Sequence, residues 1–259
     1  MSIEKSMKIK IIKVGGKLIE SDDVLGCLSD RLAACYPGCV LVHGGGSMAG
    51  QLSTKLGMEV QMHEGRRITD KATLDVTVMA YAGLANKRVV AALQARGVNA
   101  CGLSGCDMQV VVAHRREVKE IDWGYVGDID RVNAGYLELL LEREVMPVIS
   151  PITFDLSGQL LNTNADSVAS AVACALSVKY ETELIYCFDK PGVLKDVEDE
   201  DSVIPSMNRL QYEDYLKQGV IHSGMMPKLE NAFKTLDAGV KSIRLTSPEH
   251  LDGGTLIVK

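Results

Sequence analysis

The 259-residue sequence lacks the features of secreted, membrane-spanning and nucleic-acid-binding proteins. Its N-terminal segment, MSIEKSMKIK, has no apolar stretch of the kind that a secretory signal peptide requires. No apolar run approaches the roughly 20 residues that a helix needs to span a bilayer. The net charge of −6 disfavours a broad basic surface for nucleic acid. We therefore expect a cytoplasmic protein that binds neither nucleic acid nor membrane, and an anionic ligand would need a local cationic pocket.

The cysteines give little support for disulfides, zinc binding or a redox centre. There are seven, an odd number, and no two form a CxxC pair. Most lie in apolar stretches, which favours reduced and buried thiols. The remaining composition, 46% hydrophobic and 24% charged, is typical of a globular chain with one large domain or two lobes.

Predicted strands and helices alternate along the chain. Apolar and β-branched residues that run almost continuously predict buried strands at 8–14, 39–43, 144–150 and 183–189. Helical apolar spacing predicts helices at about 22–35, 47–57, 70–96, 133–142, 164–178, 208–218 and 226–238. Residues 108–129 have instead the pattern of a β-hairpin or meander. This order predicts an α/β fold, a three-layer sandwich around a mostly parallel central sheet, with a weakly marked lobe boundary near 178–182.

Three of the predicted strands end in polar residues beside glycines. The segments are KVGG at 13–16, HGGG at 43–46 and DKPG at 189–192. Open α/β sheets bind ligands outside the carboxyl ends of their strands, and glycine lets backbone N–H groups approach an anion closely. Any one of these segments alone would be read as a tight turn. Three on the same predicted edge favour a binding site.

Two lysines stand where a positive charge is unfavourable unless an anion is bound. Lys13 interrupts an apolar strand, so its ammonium would lose hydration there. Lys228 falls in the first turn of a predicted helix, where a cation opposes the helix dipole. Either could equally be a lysine whose stem packs on apolar surface while the charge reaches solvent. Judged singly, neither lysine decides between these interpretations.

Two further segments contain candidate binding residues. In NTNAD at 162–166, helix capping explains Asn164 and Asp166 but leaves Asn162 unexplained. In EGRRITD at 64–70, Thr69 or Asp70 could cap the following helix, while an arginine could grip a carboxylate through two hydrogen bonds. The alternative for the arginines is exposure in a loop.

Taken in order, these segments resemble the amino acid kinase family, most narrowly its acylglutamate kinases. The resemblance runs from about residue 9 to the C-terminus and rests on KVGGKL (13–18), VHGGG (42–46), EGRRITD (64–70), DWGYVGDI (122–129), NTNADSVASAVA (162–173), DKPGVL (189–194) and SGMMPKLENA (223–232). It implies ATP-dependent phosphorylation of the γ-carboxylate of N-acetyl-L-glutamate, in arginine biosynthesis. It also implies that Mg²⁺ arrives on the nucleotide, that no metal site is built from side chains, and that the partners are small molecules and a second copy of the chain.

The resemblance further implies roles for individual residues. Lys13 and Lys228 would stabilise the phosphoryl group in transit, and Asp166 would hold both lysines. The amino acid would contact Gly45, Gly46, Arg67 and Asn162. ATP would contact Gly15, Gly16, Asp189, Gly192, Val193, Leu194, Gly224 and Met225. An N-terminal lobe, 1–180, would bind the acyl-amino acid, and a C-terminal lobe, 181–259, would bind ATP.

The chemistry of such a transfer is consistent with the absence of a candidate general base. A glutamate carboxylate has a pKa of about 4.3 and is already an ionised nucleophile at neutral pH. What remains is to align two anions and neutralise charge during in-line transfer, a task for lysines, glycine amides and Mg²⁺. Asp166 is therefore interpreted as an organiser of charge and not as a base.

The sequence departs from the family pattern in places. Phe188 and Lys190 flank Asp189 where relatives usually carry other residues, so the nucleotide contacts there are open. Only a dozen residues precede Lys13, whereas arginine-regulated relatives carry a longer N-terminal helix that links dimers into a hexamer. We therefore expect a plain dimer without arginine inhibition. The acyl group is also open, since Arg66, or less plausibly Lys17, could bind the extra carboxylate of N-succinylglutamate.

Other classes of function share some of these motifs. Residues 44–49 satisfy the G-x-G-x-x-A signature of dinucleotide-binding oxidoreductases, with Glu64 about 20 residues beyond. Glu64, however, falls in a loop-like segment and not at the end of a second strand. The HGGG segment is also found in esterase oxyanion loops, but no GxSxG accompanies it. A ligand sensor without activity is a third class, and the presence of both Lys13 and Lys228 argues against it.

Overall fold

The structure, a computed structural model, describes residues 7–63, 65–221 and 225–259. The strands, in chain order, are β1 (Lys8–Val14), β2 (Cys39–His43), β3 (Met62–His63), β4 (Arg66–Arg67), β5 (Ala100–Leu103), β6 (Val111–Arg115), β7 (Gly127–Val132), β8 (Met146–Ile149), β9 (Ile152–Phe154), β10 (Leu160–Asn162), β11 (Glu181–Cys187), β12 (Ser206–Met207), β13 (Ser242–Thr246) and β14 (Thr255–Ile257). The helices are α1 (Asp22–Cys35), α2 (Gly46–Lys55), α3 (Lys71–Val78), α4 (Asn86–Gln94), α5 (Ala134–Glu142), α6 (Ala165–Leu176), α7 (Arg209–Lys217) and α8 (Met226–Asp237). A π-helical segment, Met79–Ala85, joins α3 to α4, and short 3₁₀ helices lie at Gly16–Ile19, Asp107–Gln109 and Pro248–His250.

The central sheet contains eight strands in the order β12-β14-β13-β11-β1-β2-β8-β5. From β13 to β5 the neighbouring strands are parallel, and β14 runs antiparallel to β13. Val14 pairs with Cys187 on one side and with His43 on the other. The carboxyl ends of β11, β1 and β2 therefore lie side by side, which confirms that the three glycine-containing segments follow one edge of the sheet.

Helices cover both faces of this sheet. Along β1, Ile9 and Ile11 pack into a core cluster with residues of α5, α6, α7 and α8. Ile12 and Val14 pack into a second cluster with residues of α1 and α4. Successive strand residues point to opposite faces, so the nearly continuous apolar run of β1 fills two cores at once. The expected three-layer α/β sandwich is confirmed.

Most predicted elements are present within a few residues of their predicted bounds, and α1 matches at both ends. The helix predicted at 70–96 is one helical run interrupted by the π segment. Strands β6 and β7 form the antiparallel pair predicted within 108–129, inside a four-stranded sheet ordered β10-β9-β6-β7. The prediction omitted β3, β4, β5, β9, β10, β12, β13 and β14. All of these except β13 have only two to four residues, which leaves little periodicity to detect.

The cysteines are free, as expected, but mostly not buried. All seven lack a disulfide partner. Cys39 and Cys187 alone are fully buried, whereas Cys106 is exposed and the others are half-buried, so the expectation of buried thiols is wrong for most of them. Within the described ranges, no helix has both the length and the apolar character needed to cross a bilayer.

Candidate active site

A cavity of about 390 Å³ opens at the carboxyl ends of β1 and β2. It lies between the β3–β4 hairpin, the loop after β2 and the start of α6. Its volume falls within the range of small-molecule sites, about 300–1,000 Å³. Seven of the predicted site residues line it, namely Lys13, Gly16, Gly45, Gly46, Arg67, Asn162 and Asp166. The fold thus gathers in one place residues that are more than 150 positions apart in the chain.

Lys13 forms an ion pair with Asp166 at the wall of this cavity. The Lys13 Nζ lies 2.8 Å from Asp166 Oδ1, and the two side chains are 16% and 31% exposed. Lys13 belongs to the same face of β1 as Ile9 and Ile11, which is the face that α6 covers. Asp166 stands in the first turn of α6, which Asn164 caps by accepting from the N–H groups of Asp166 and Ser167. The carboxylate therefore provides the partner that a lysine at the end of a buried strand requires.

The glycines of the two loops are needed for close packing. A Cβ added to Gly16 would lie 2.7 Å from the backbone nitrogen of Gly45. A Cβ added to Gly45 would lie 2.4 Å from Cδ1 of Tyr81. The loops after β1 and β2 therefore touch backbone to backbone, with the Tyr81 ring against Gly45. A side chain at either glycine would separate these surfaces. The alternative view of the two glycine segments as ordinary tight turns does not explain this close contact.

Arg67 carries a buried donor that has no hydrogen-bond acceptor among the described residues. Its Nη2 donates to the carbonyl oxygen of Gly46 at 2.9 Å. Its Nη1 is buried and has no acceptor among the described residues. The Arg67 guanidinium also faces the phenol of Tyr81, whose pKa burial raises while Arg67 opposes the rise. A buried guanidinium donor without an acceptor is costly, so a carboxylate or phosphate oxygen in the cavity would relieve it.

Asn162 ties three segments together at the floor of the cavity. Its amide Nδ2 donates to the Thr69 hydroxyl at 3.0 Å, and its backbone N–H donates to the carbonyl of Tyr125. Thr69 is buried and does not cap α3. That role belongs to Asp70, whose carboxylate accepts from the N–H of Thr73 at 2.7 Å, a bond that lowers its pKa. The capping question that the sequence left open is therefore settled in favour of Asp70.

Lys228 lines a second cavity, of about 320 Å³, that adjoins the first. The two cavities share Arg66, Asn164, Asp166 and Ser167. Lys228 lies in the first turn of α8 behind Pro227, as predicted, and its Nζ is 4.9 Å from the centre of the Phe188 ring. Among the described ion pairs, Asp166 holds Lys13 but not Lys228. The ring of Phe188 takes the place of the expected carboxylate partner through a cation–π contact.

Most residues expected to contact the nucleotide do not line these two cavities, as formed by the described part of the chain. Asp189 is exposed, whereas Gly192, Val193 and Leu194 are buried against the far strands of the sheet. A Cβ on Gly192 would meet Val203 and Thr255, and the N–H of Val193 donates to the Thr255 hydroxyl at 2.8 Å. Packing therefore accounts for this segment without a ligand.

The remaining protein residues that were expected to contact the nucleotide differ in their surroundings. Gly15 is half-buried, and a Cβ there would meet nothing within 4 Å. Met225 caps α8 and packs at the edge of the core. Gly224 and Glu64, which contributed to the sequence resemblance, lie outside the described residues. Among the members of this set that the structure describes, only Gly16 lines the first cavity.

Several residues that the sequence did not single out also line the first cavity. They include Met62, Tyr81, Arg116 and Trp123. Arg116 forms a bidentate ion pair with Asp128, in which Nη2 and Nε lie 2.6 Å and 3.1 Å from the two carboxylate oxygens. This pairing holds the pKa of Asp128 below its usual range. The Arg116 guanidinium carbon is 5.9 Å from the centre of the Trp123 ring. Trp123, as the single tryptophan of the chain, could have been chosen from the sequence as a candidate site residue. Nothing in the local sequence distinguishes Tyr81 or Arg116 in this way.

Comparison with known proteins places the chain in a family. The pattern described as "Amino acid kinase family" matches residues 8–247. Acetylglutamate kinase of Bacteroides fragilis is 49% identical over 254 residues, which cover 97% of this chain and 97% of that protein. The crystal structure of smu.665 from Streptococcus mutans has a TM-score of 0.78 and 31% identity, covering 96% of this chain and 98% of that one. Carbamate kinase from Giardia lamblia bound to AMP-PNP, at 15% identity and a TM-score of 0.69, covers 98% of this chain and 99% of that one and shares the fold. The chain belongs to the amino acid kinase family.

Proposed function

We propose that this protein transfers the γ-phosphoryl group of ATP to the γ-carboxylate of N-acetyl-L-glutamate, as an acetylglutamate kinase of arginine biosynthesis. The observation that carries the proposal is the buried Arg67 Nη1, which has no acceptor among the described residues and belongs to a side chain lining the same cavity as the Lys13–Asp166 pair. The 49% identity to acetylglutamate kinase of Bacteroides fragilis, over nearly the full length of both chains, supports the same reaction.

The proposed chemistry needs positioning and charge neutralisation, not a proton acceptor. The substrate γ-carboxylate is ionised at neutral pH, so it attacks the γ-phosphorus directly while the bond to the β-phosphate oxygen breaks and ADP leaves. Lys13, Lys228 and the N–H groups of Gly16 and Gly45 would stabilise the charge on the transferring group. Asp166, already engaged by Lys13 at 2.8 Å, would orient that lysine. Arg67 would hold the α-carboxylate and Asn162 the neighbouring polar groups.

The nucleotide is proposed to bind beside Lys228, and the amino acid in the cavity of Arg67. All residues that line the Arg67 cavity precede residue 181, whereas Lys228 and its helix follow it, and this supports the division into lobes 1–180 and 181–259. In the described part of the chain, no three acidic, histidine or cysteine side chains gather to hold a metal ion. We assign Mg²⁺ to the triphosphate of ATP, where it would neutralise the charge that develops during transfer. The contacts of ATP with Gly15, Asp189, 192–194, Gly224 and Met225 stay predictions.

The proposed assembly is a homodimer in the cytoplasm. Met79 and Leu84, in the π segment between α3 and α4, are 52% and 53% exposed, and this pair of exposed large apolar side chains supports contact with a second copy. The free state of all seven thiols is typical of a reducing compartment.

An acyl phosphate trap tests the reaction directly. With ATP, Mg²⁺, N-acetylglutamate and hydroxylamine, the protein should yield a hydroxamate in an amount equal to the ADP formed. Glutamate, aspartate, carbamate and UMP serve as alternative acceptors in parallel reactions. Turnover on one of these with none on an acylglutamate would reject the proposal, and so would ATP binding without any turnover.

N-succinyl-L-glutamate is a second candidate substrate, favoured by the cations near the cavity. Arg66 lines the substrate cavity, the Lys228 cavity and a third cavity of about 570 Å³ that also contains Arg116 and Trp123. Lys17, the other cation considered, is exposed and does not line the substrate cavity. A succinyl carboxylate would need such a cation, since an unpaired charge is costly to bury.

Values of kcat/KM for both substrates, measured in the natural protein and in Arg66→Ala, distinguish the two candidate substrates. A wide preference for acetyl rejects this candidate, and a succinyl preference that survives Arg66→Ala removes Arg66 as its cause.

A further inference from the structure

His43 is a buried side chain to which the proposed reaction gives no role. It ends β2, directly before the glycine loop 44–46, and none of its surface is exposed. Its Nδ1 lies 2.8 Å from the carbonyl oxygen of Gly44, and its Nε2 lies 3.1 Å from Nδ2 of Asn86. Asn86 opens α4 and is also buried. A buried imidazole between a loop of the active site and a fixed amide is placed to control the geometry of that loop.

The hydrogen bonds determine which ring nitrogen carries the proton. Asn86 Nδ2 lies 2.9 Å from the carbonyl oxygen of Val148, which can only accept, so this atom is the amide nitrogen and a donor. The opposite end of the amide, Oδ1, lies 3.2 Å from the ammonium of Lys87, which can only donate, and this agrees with the same orientation. The second N–H of Asn86 therefore points at His43, and Nε2 of the imidazole accepts it. Nδ1 must then carry the proton and donate it to the Gly44 carbonyl.

The imidazole is held in this neutral form. Burial is the main cause that lowers the pKa of His43, the bond to Gly44 opposes the shift, and the nearby ammonium of Lys87 adds to it, so that the pKa falls to about 4. Lys87 is the charged group that influences His43 in the described structure. The tautomer set by Asn86 is thus the form present at neutral pH.

A fixed carbonyl at Gly44 also fixes the next N–H group. In a planar trans peptide, the carbonyl oxygen of Gly44 and the N–H of Gly45 point in opposite directions. The bond from His43 Nδ1 to this carbonyl therefore sets the direction of the Gly45 N–H. Gly45 lines the substrate cavity and has no side chain to restrict its own rotation. Without the imidazole, the Gly44 carbonyl would lose this donor, and the Gly45 N–H would lose one of the constraints on its direction.

We propose that His43 and Asn86 form a positioning pair that aims the Gly45 N–H at the acceptor carboxylate and the phosphoryl group in transit. The inference rests on the proposed function, and it makes His43 a positioning residue that does not touch the substrate. Its effect belongs in kcat more than in KM, because the charge that the N–H stabilises develops during transfer.

Two amide substitutions of His43 distinguish the role of Nδ1 from the role of Nε2. In His43→Asn, the shorter amide places its nitrogen near the position of Nδ1, so it can still donate to Gly44. In His43→Gln, the longer amide reaches the position of Nε2, so it keeps Asn86 as partner and loses the donor to Gly44. We expect kcat to fall by about tenfold to a hundredfold in His43→Gln, with the KM for the amino acid within about threefold, since misplacement near 1 Å has effects of that size. His43→Asn should stay within about threefold of the natural kcat, because its donor to Gly44 is retained.

The experiment pairs these kinetics with nitrogen NMR of the natural protein. The ¹⁵N shifts should identify a neutral His43 protonated on Nδ1 at pH 7. An imidazole protonated on Nε2 would overturn the proposal whatever the variants do, including the case in which both fail to fold. Equal loss of kcat in the two variants, or no loss in His43→Gln, would also overturn it. If the natural protein phosphorylates no acylglutamate, the proposed function fails, whereas the tautomer measurement still stands by itself.

Discussion

Replacing Gly45 with alanine is the most direct test of how the glycine loop is built. The added Cβ would lie 2.4 Å from Cδ1 and 2.8 Å from Cε1 of Tyr81. Carbon atoms in favourable contact are about 3.5–4.0 Å apart, so either the loop or the ring must move by roughly 1 Å. Tyr81 is 7% exposed and packs in the same core cluster as Met48 and Ala85, which leaves the ring little room to give way.

The size of the effect follows from this geometry. Overpacking a core by one methyl group typically costs about 1–3 kcal/mol, and we expect Gly45→Ala to lower the free energy of unfolding by that amount. A displacement of the loop by about 1 Å should also reduce kcat by roughly a hundredfold, because the Gly45 N–H would lose its alignment with the transferring group.

Urea unfolding, measured as a double-mutant cycle with Tyr81→Leu, assigns the cost to the ring. In the Tyr81→Leu background, Gly45→Ala should cost at least 1 kcal/mol less than it does in the natural protein, about the coupling expected of two residues in contact. Gly15→Ala is the matched control for stability, since a Cβ there meets nothing within 4 Å and its φ of −64° suits any residue. Its free energy of unfolding should be unchanged or raised by about 0.4–1 kcal/mol. An equal loss in both backgrounds would show that contact with Tyr81 does not explain the glycine.

Three further predictions address the charged and titrating groups of the site. Lys228→Ala should lower kcat about a hundredfold while ATP binding, measured by calorimetry, changes little, because this charge acts in the transition state; near-normal turnover would remove Lys228 from the mechanism. Arg67→Ala should mainly raise the KM for the amino acid, since a carboxylate clamp binds ground and transition states alike; an unchanged KM would move the clamp to Arg66. His43 has a pKa of about 4 in the folded protein against about 6.5 in an unfolded chain, so the unfolded state takes up a proton first as the pH falls. The free energy of unfolding should therefore be highest above pH 6.5 and should fall by about 3 kcal/mol as the pH falls to 4. His43→Asn lacks this titrating group, so the difference between the two proteins isolates the effect of the imidazole. The same pH slope in both proteins would contradict the buried neutral imidazole.

The layers of the fold and the edge on which the site lies could both be predicted from the amino-acid sequence. Strand β2 is visible in the sequence as an apolar run because a strand buried on both faces tolerates few polar residues. Strand β1 is visible because its four apolar residues fill both cores, although the strand also contains three lysines. The bounds of α1 and the cap of α6 follow from local side-chain bonds, such as Asn164 accepting from Ser167. The glycines after these strands were also predictable as site residues, since polar residues beside glycines recur where parallel strands end.

The side chains that complete the site could not be predicted, because they are brought there by the packing of distant elements. Tyr81 reaches the loop at Gly45 from a π-helical segment, and Arg116 reaches the cavity from the end of a distant hairpin. Lys228 rests on Phe188 in the structure, where the sequence suggested a shared carboxylate. Val193 proved to be buried beside Thr255, although the motif that contains it resembles a nucleotide segment. These relations join residues far apart in the chain, and local periodicity carries no information about such contacts because they depend on how whole elements pack.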